Sequence, residues 1–187
     1  MSQDNLTAKQ LDYAVFLPAI SGFYATFIGK QRDTSSPPYV DPARMPAGIQ
    51  DMEELNWLNS SKGLFPYKWS LYSGGHANLD LAKQDWSEDM VRNREPGTFI
   101  LGDSGGFQIA KGLWEGDWKA NSGCPKAQKK RELVLKWLDN IADYGMILDI
   151  PTWVIHDKKA SKACGIKTLP EAVAATKFNN EYFIKHR

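Results

Sequence analysis

The sequence contains few of the residues that build metal sites and disulfide bonds. Two of its 187 residues are cysteine and three are histidine. Cys124 and Cys164 are far apart, and neither belongs to a C-x-x-C pair or lies near a paired histidine, so the sequence predicts no metal site and no cofactor. The simplest interpretation is two reduced thiols in a cytoplasmic protein.

The sequence also lacks a strong net charge and long apolar runs. With a formal net charge of +1, it has no overall positive field that would indicate a nucleic-acid partner. No run approaches the roughly 20 apolar residues of a membrane span, and residues 1–10 lack the apolar stretch of a secretory signal. We therefore expect a cytoplasmic protein without a membrane partner.

One local cluster of basic residues stands out from this balanced background. It consists of Lys126, Lys129, Lys130 and Arg131. Such a cluster is usually a solvated helix face, and a contact for nucleic acid is the alternative.

The residues that are present favour one folded domain over 1–187. A hydrophobic share of 42%, with 12% aromatic residues, provides enough burial to offset the entropy of the chain. Residues 31–50 contain four prolines, which remove hydrogen-bond donors and fix φ where a helix or strand could not use it. This segment therefore predicts a long surface loop, with disorder as the alternative.

Apolar patterns predict strands that alternate with helices. Four short apolar runs, at 13–19, 68–72, 98–101 and 146–150, predict strands, and the last two are continuous, as in a parallel sheet covered on both faces. Helical spacing is found for Leu79, Ala82, Trp86 and Met90, and for Leu133, Val134, Trp137, Leu138 and Ile141, with Gly145 placed to end the second helix. The string Thr168-Leu169-Pro170-Glu171 has the spacing of a capping box and predicts a third helix.

This alternation is typical of α/β proteins with a mostly parallel sheet. A complete (β/α)8 barrel, the TIM barrel, needs roughly 200 residues or more. About four parallel strands with flanking helices therefore predict either a small open sheet or a partial barrel.

The string Gly102-Asp103-Ser104-Gly105-Gly106-Phe107-Gln108 follows the third predicted strand directly. The carboxyl end of a strand is where α/β folds place their ligands. Asp103 supplies a carboxylate, the paired glycines a tight turn, Phe107 a flat apolar face, and Gln108 a donor and an acceptor. Together they suit a planar heterocycle. A turn-capping aspartate is the structural alternative for Asp103.

A similar GDSGG string surrounds the nucleophilic serine of chymotrypsin-like proteases, which would make Ser104 the nucleophile. Those enzymes need a histidine and an aspartate earlier in the chain, and usually disulfides. The one histidine that precedes the string is His76, too close for that fold, and Phe107 replaces the expected proline. We therefore set the protease interpretation aside.

The fuller string DSGGFQ, placed after a buried strand, closely resembles the base-binding loop of the tRNA-guanine transglycosylases (queuine and archaeosine tRNA-ribosyltransferases). Phe16-Leu17-Pro18 is similar to the F-x-P at the opening of that family's barrel, and Met146-Ile147-Leu148-Asp149 to a later strand. The resemblance extends over about residues 13–152. It implies base exchange on nucleic acid, in which a guanine is replaced by a 7-deazaguanine.

The resemblance also implies a role for each residue of the string. Asp103 would be the catalytic residue, as an acid/base or as the carboxylate that orients the substrate. The substrate-binding residues would be Ser104, Gly105 and Gly106, which shape the pocket, Phe107, which stacks on the base, Gln108, and Asp149, which hydrogen-bonds the base. A cap for the next turn is the alternative for Asp149.

Two departures from the family pattern limit what the resemblance implies. Where the tRNA enzymes continue with Glu-Cys, this chain has Ile150-Pro151-Thr152, which favours the phage and bacterial relatives that insert 7-deazaguanines into DNA. The family's nucleophilic aspartate and its zinc site would lie beyond Arg187, so the match corresponds to the first half of the barrel. His156, Asp157 and Asp143 are further candidate groups, with solvated loop residues as the default.

We therefore expect a pentosyltransferase-like chain that supplies the base-binding half of the enzyme. Its partners would be nucleic acid, either DNA or tRNA, a 7-deazaguanine base, and a second subunit or further copy that completes the barrel. One alternative is a non-catalytic subunit or a truncated fragment that binds a purine or nucleic acid. Another is a small α/β enzyme of unrelated chemistry, in which the string is coincidental.

Overall fold

A computed structural model describes residues 14–22, 24–25, 28, 45–82 and 89–187. Its strands are β1 (Ala19–Ile20), β2 (Trp69–Ser73), β3 (Phe99–Asp103) and β4 (Tyr144–Gly145). They form one sheet in the order β1-β2-β3-β4, and every neighbouring pair is parallel. The predicted α/β class with about four parallel strands is therefore confirmed.

Helices of very different length connect and follow the strands. The α-helices are α1 (Asp89–Arg92), α2 (Gly106–Ala110), α3 (Pro125–Ile141), α4 (Lys158–Cys164) and α5 (Leu169–His186), and 3-10 helices cover Met52–Leu55 and Thr152–His156. The predicted capping box begins α5, because Thr168 Oγ1 accepts from Glu171 N at 3.3 Å and Glu171 accepts in return from Thr168 N at 3.0 Å. In the part of the chain that the structure describes, no helix combines the length and the apolar character that crossing a membrane requires.

A glycine inside β3 allows α3 to pack closely on the sheet. A Cβ at Gly102 would lie 2.6 Å from Cδ2 of Leu138 and 2.7 Å from Cβ of Ala142, so a larger residue would push this end of the helix away. Nearby, the ring of Trp137 lies 5.7 Å from that of Tyr72 on β2. Both rings are fully buried in the core that joins the sheet to its helices.

The fourth strand lies earlier in the chain than the sequence predicts. β4 covers only Tyr144–Gly145, and residues 146–150 have no regular structure. The prediction of a strand at 146–150 is therefore wrong, and Gly145 belongs to β4 instead of ending α3, which stops at Ile141.

After Met146, whose N donates to the carbonyl of Gly102 on β3 at 2.8 Å, side chains hold the backbone of this segment. Asn179 Nδ2 donates to the carbonyl of Leu148 at 2.7 Å, and Thr176 Oγ1 accepts from Ile150 N at 2.9 Å. Both partners lie on α5. Because these polar groups satisfy the buried backbone, the apolar run needs no strand partner.

Two predictions near the start of the chain fall partly outside the described residues. A strand is predicted at 13–19. Residue 13 lies outside the described residues, and β1 begins only at Ala19. The residue before it, Pro18, has no N–H to donate to a neighbouring strand. Of the loop predicted at 31–50, residues 31–44 lie outside the described residues, and 45–50 contain no helix or strand.

The helix predicted from Leu79 to Met90 is largely wrong where it is described. Side-chain oxygens of Asn78 and Asp80 accept from the backbone of Asp80 and Ala82, at 3.1 and 3.2 Å, and such local bonds favour turns over helix. Trp86 lies among residues 83–88, outside the described residues, and α1 begins at Asp89.

The basic cluster on α3 is not a uniformly solvated face. Arg131 is only 2% exposed. Its guanidinium lies between the rings of Trp118 and Phe178, at 5.1 and 5.0 Å from their centroids, and its Nε donates to Asn179 Oδ1 at 2.6 Å. The interpretation as a solvated face is therefore wrong for Arg131, and a buried polar link joins α3 to α5.

We expect Asn179→Ala to lower the free energy of unfolding by about 2–3 kcal/mol, because it removes an acceptor from the buried Arg131 and a donor from the Leu148 carbonyl. Asn180→Ala, at a half-buried position on the same helix, is the matched control and should stay within about 0.5 kcal/mol of the wild type. Urea unfolding measures both. Equal losses would contradict the structural role given to Asn179.

Candidate functional site

The parallel register brings two polar residues together at the carboxyl edge of the sheet. Ser73 ends β2, Asp103 ends β3, and the two are direct partners in the ladder. The Ser73 hydroxyl donates to Asp103 Oδ2 at 2.6 Å, and Gly105 N donates to Oδ1 at 3.3 Å. Since each carboxylate oxygen has a donor, the direction in which Asp103 points is fixed.

The glycines after Asp103 allow two close approaches. Gly105 precedes α2 with φ of 83°, in the left-handed region that glycine adopts most readily. A Cβ at Gly106 would lie 2.3 Å from Oδ1 and 2.4 Å from the backbone oxygen of Asp149. Only a glycine at 106 lets Asp149 lie against the start of α2.

The polar neighbours of this turn have partners inside the fold. Ser104 is buried, and its hydroxyl donates to the carbonyl of Ile147 at 2.8 Å, so it offers no nucleophile to a substrate and the protease interpretation finds no support. Gln108 is also buried, and its Nε2 donates to the Gly75 carbonyl at 3.2 Å. These bonds tie the turn after β3 to the segments that follow β2 and β4.

Phe107 differs from the other residues of the string because its side chain is exposed. It is 54% exposed, and Trp153, 38% exposed, lies 5.9 Å away with its ring tilted by 57°. The ammonium of Lys111 lies 5.5 Å from the Phe107 centroid and 5.1 Å from that of Trp153. Two aromatic faces and one cation are thus open to a planar ligand.

A cavity of about 310 Å³ lies at this edge, near the lower limit of ligand-binding cavities. Of the predicted site residues, Asp103, Phe107 and Gln108 line it. Ser104, Gly105 and Gly106 form the turn beside it, and Asp149 lies against Gly106 without lining it. The remaining lining residues are Ala19, Ile20, Ser21, Leu71, Ser73 and His76.

Ser73 and His76 line the cavity as well, and neither is among the site residues predicted from the sequence. A signal for them exists in the sequence. Ser73-Gly74-Gly75-His76 follows β2 much as the DSGG string follows β3. A polar residue and paired glycines at the ends of adjacent parallel strands indicate a shared site.

Asp149 and Asp103 interact electrostatically. Loss of hydration against the neighbouring backbone raises the pKa of Asp149, and the negative charge of Asp103 raises it further. A carboxyl group with a raised pKa retains its proton to higher pH and can donate a hydrogen bond there. The two carboxyl groups are therefore suited to different tasks.

The further candidate groups have structural roles or lie at the surface. Asp143 Oδ2 accepts from Ile100 N at 2.7 Å and pairs with Arg94 at 3.0 Å. Asp157 caps α4, and His156 is exposed. None of the three lines the cavity beside Asp103.

No zinc site fits the part of the chain that the structure describes. Within it, no three histidine, cysteine, aspartate or glutamate side chains lie close enough to share a metal ion. Cys124 and Cys164 are both free thiols.

Comparisons of this chain with protein-family models, curated proteins and solved structures find no match. The fold and site define an α/β protein with a cavity at the carboxyl edge of a parallel sheet, lined by apolar and polar side chains. A function for that cavity is therefore argued from its residues.

We expect Gly106→Ala to destabilise the fold by about 1–3 kcal/mol, as overpacking usually does. Alanine is otherwise the better helix former, but its Cβ would overlap two oxygens of Asp149. Thermal unfolding followed by circular dichroism measures the change. A variant as stable as the wild type would contradict the close approach of Asp149.

We expect the Asp149→Asn variant to gain stability relative to the wild type as pH rises. Because the folded-state pKa of Asp149 is raised, its ionised form is less favourable in the folded chain than in the unfolded one. Below the unfolded-state pKa the two proteins should unfold at similar temperatures, the difference should grow as pH rises through the folded-state pKa, and above it the wild type should unfold earlier. Unfolding temperatures at about pH 3.5 and 7.5 bracket the carboxyl range; a difference that is independent of pH would rule out this assignment.

Proposed function

We propose that this chain supplies the base-binding half of an enzyme that exchanges guanine in nucleic acid for a 7-deazaguanine. The observation that supports the proposal most directly is the placement of Asp103. Its carboxylate is held by two donors at the end of β3, in a cavity that the exposed Phe107 also lines. A purine-type base offers N–H donors along its edge and a flat face to each side, which these two groups bind.

The two aspartates would divide the recognition of the base. In this proposal the ring stacks on Phe107 while Asp103 accepts from its edge and orients it. Asp149 lies against Gly106 beside the cavity, interacts with Asp103 and has a raised pKa, which suits it to a hydrogen bond with a base that extends past the turn at Gly106. A leaving guanine needs a proton, and a carboxyl group with a raised pKa retains its proton to higher pH and is better suited to supply it.

The reaction would follow double displacement. A carboxylate attacks C1′ of the target guanosine, and the glycosidic bond breaks as guanine takes up a proton. The 7-deazaguanine then loses a proton and attacks C1′, which releases the carboxylate and retains the configuration. The target nucleotide must first leave its base stack.

In that reaction the described residues act on the bases and not on the ribose. Among the described residues, Asp103 is the one carboxylate that lines the cavity, and its two donors hold it for recognition. We assign base handling to Asp103 and Asp149 and no residue to the attack on the ribose. The four parallel strands would form the first half of a (β/α)8 barrel, and the string Ile150-Pro151-Thr152 favours DNA over tRNA as the substrate.

We expect Asp103→Asn to weaken the binding of a 7-deazaguanine base at least about tenfold, because hydrogen bonds to a charged group contribute roughly 1.5–3 kcal/mol. Isothermal titration calorimetry with the purified chain measures this affinity. Asp139→Asn, on α3 beside the exposed Arg187, removes a carboxylate outside the cavity and should bind as the wild type does. Unchanged affinity in Asp103→Asn would reject the assignment.

A second candidate function is a binding subunit that needs a partner chain. Within the described residues, β4 has a neighbour only on its β3 side. Tyr144 on β4 and Ile184 on α5 are 69% and 73% exposed, beside a cavity of about 200 Å³ between α3 and α5. Apolar side chains next to a free strand edge favour association with another chain.

An exchange assay tests whether this chain is catalytic by itself. Radiolabelled guanine in a DNA or tRNA substrate is followed with the purified chain alone. Release of guanine by this chain alone excludes the binding subunit. Base binding without release is expected for both candidates, because neither assigns a residue of this chain to the attack on the ribose.

A further inference from the structure

A second cavity, larger than the one beside Asp103, is lined by lysines. It has a volume of about 580 Å³ and lies between the loop after α2 and helix α4. Four lysines from three parts of the chain line it: Lys119, Lys158, Lys162 and Lys167. We call it the lysine groove. Such a concentration of one charge is unexpected in a chain whose formal net charge is +1.

Only part of this positive charge is balanced locally. Asp117 also lines the groove, and its Oδ2 lies 3.7 Å from Lys119 Nζ. The other three lysines have no ion pair to any described residue. Lys158 and Lys162 are one helical turn apart on α4, where like charges repel each other. A bound anion would relieve this repulsion.

The backbone around the lysine groove does not oppose an anion. The free carbonyls at the end of a helix carry partial negative charge. Here the carbonyls of Ala163 and Cys164, at the end of α4, already accept from Gly116 N at 3.0 Å and Trp118 N at 2.8 Å. The ammonium groups are therefore the main polar groups available to a ligand.

The lysine groove adjoins the aromatic pair beside the Asp103 cavity. Ile155 lines the groove and belongs to the 3-10 helix that also contains Trp153. Trp153 contacts Phe107, and Lys111 lies over both rings. The 3-10 helix thus links the groove, through Ile155, to the aromatic pair whose Phe107 lines the cavity. Surfaces that bind single-stranded nucleic acid combine these two features, cations for the phosphates and rings for the bases.

We propose that the lysine groove binds the phosphodiester backbone of the strand whose target base enters the Asp103 cavity. The choice of nucleic acid among polyanions rests on the proposed function. The groove, not the basic cluster on α3, is then the main electrostatic contact, because two of that cluster's four residues are engaged with rings: Arg131 is buried and Lys130 lies over Trp114. Three of the four groove lysines are exposed.

The test measures how the affinity for DNA depends on salt. Fluorescence anisotropy of a short labelled single-stranded DNA is titrated with the wild type, with Lys158→Gln/Lys162→Gln, and with Lys129→Gln/Lys136→Gln as control. The control removes the same charge from exposed positions on α3. Each lost phosphate contact should make the slope of log K against log salt shallower by about 0.7. We expect this change in the groove variant and the wild-type slope in the control.

Several outcomes would overturn the proposal. Equal changes in both double variants would mean that only net charge matters, and unchanged binding in the groove variant would mean that the groove is not used. Polyglutamate that displaces the DNA with the same dependence on Lys158 and Lys162 would point to an acidic protein. Inorganic phosphate that binds the groove while the DNA does not would point to a small phosphorylated ligand.

A parallel titration with 7-deazaguanine distinguishes this proposal from the proposed function. The groove variant should bind the base as tightly as the wild type, because its lysines do not line the Asp103 cavity. If the wild type binds no 7-deazaguanine but its DNA binding depends on Lys158 and Lys162, base exchange is rejected and the groove stands. If the wild type binds 7-deazaguanine but its DNA binding does not depend on Lys158 and Lys162, the groove proposal is rejected and base exchange stands.

Discussion

The candidate site depends on the parallel pairing of β2 with β3. This register places Ser73 opposite Asp103 and brings the two glycine-containing turns that follow the strands side by side. The bond from Gln108 to the Gly75 carbonyl then joins the turns. A slip of one residue in either strand would turn Asp103 to the other face of the sheet, and the cavity would lose its carboxylate.

Close packing around this pair has electrostatic consequences. Because Gly102 has no side chain, α3 packs closely against β3, and because Gly106 has none, Asp149 lies against the start of α2. The second approach partly desolvates the carboxyl group of Asp149 and brings it near the charge of Asp103, and both effects raise its pKa. Positive charge collects elsewhere, in the lysine groove, so a polyanionic ligand could contact the groove while only its uncharged base meets the two acids.

Local sequence signals predicted the elements whose boundaries are set locally. The apolar runs predicted four of the five residues of β2 and three of the five residues of β3, and the capping box predicted the start of α5. They failed at residues 146–150, where Asn179 and Thr176 satisfy the backbone from far along the chain. The DSGGFQ string indicated Asp103 and Phe107 because both lie in one local segment. Ser73 is brought beside Asp103 only by the pairing of β2 with β3.

Asp103 and Asp149 are held in place by different parts of the fold, because hydrogen bonds from α5 fix the residues on either side of Asp149. Asp103 is part of the sheet and keeps its place through strand pairing. Asp149 lies between two residues whose backbone is held by side chains of α5. A small shift of that one helix would widen or narrow the gap between the carboxyl groups while the sheet stays still. The position of α5 would thus set the strength of the electrostatic interaction between Asp103 and Asp149 without any change in strand register.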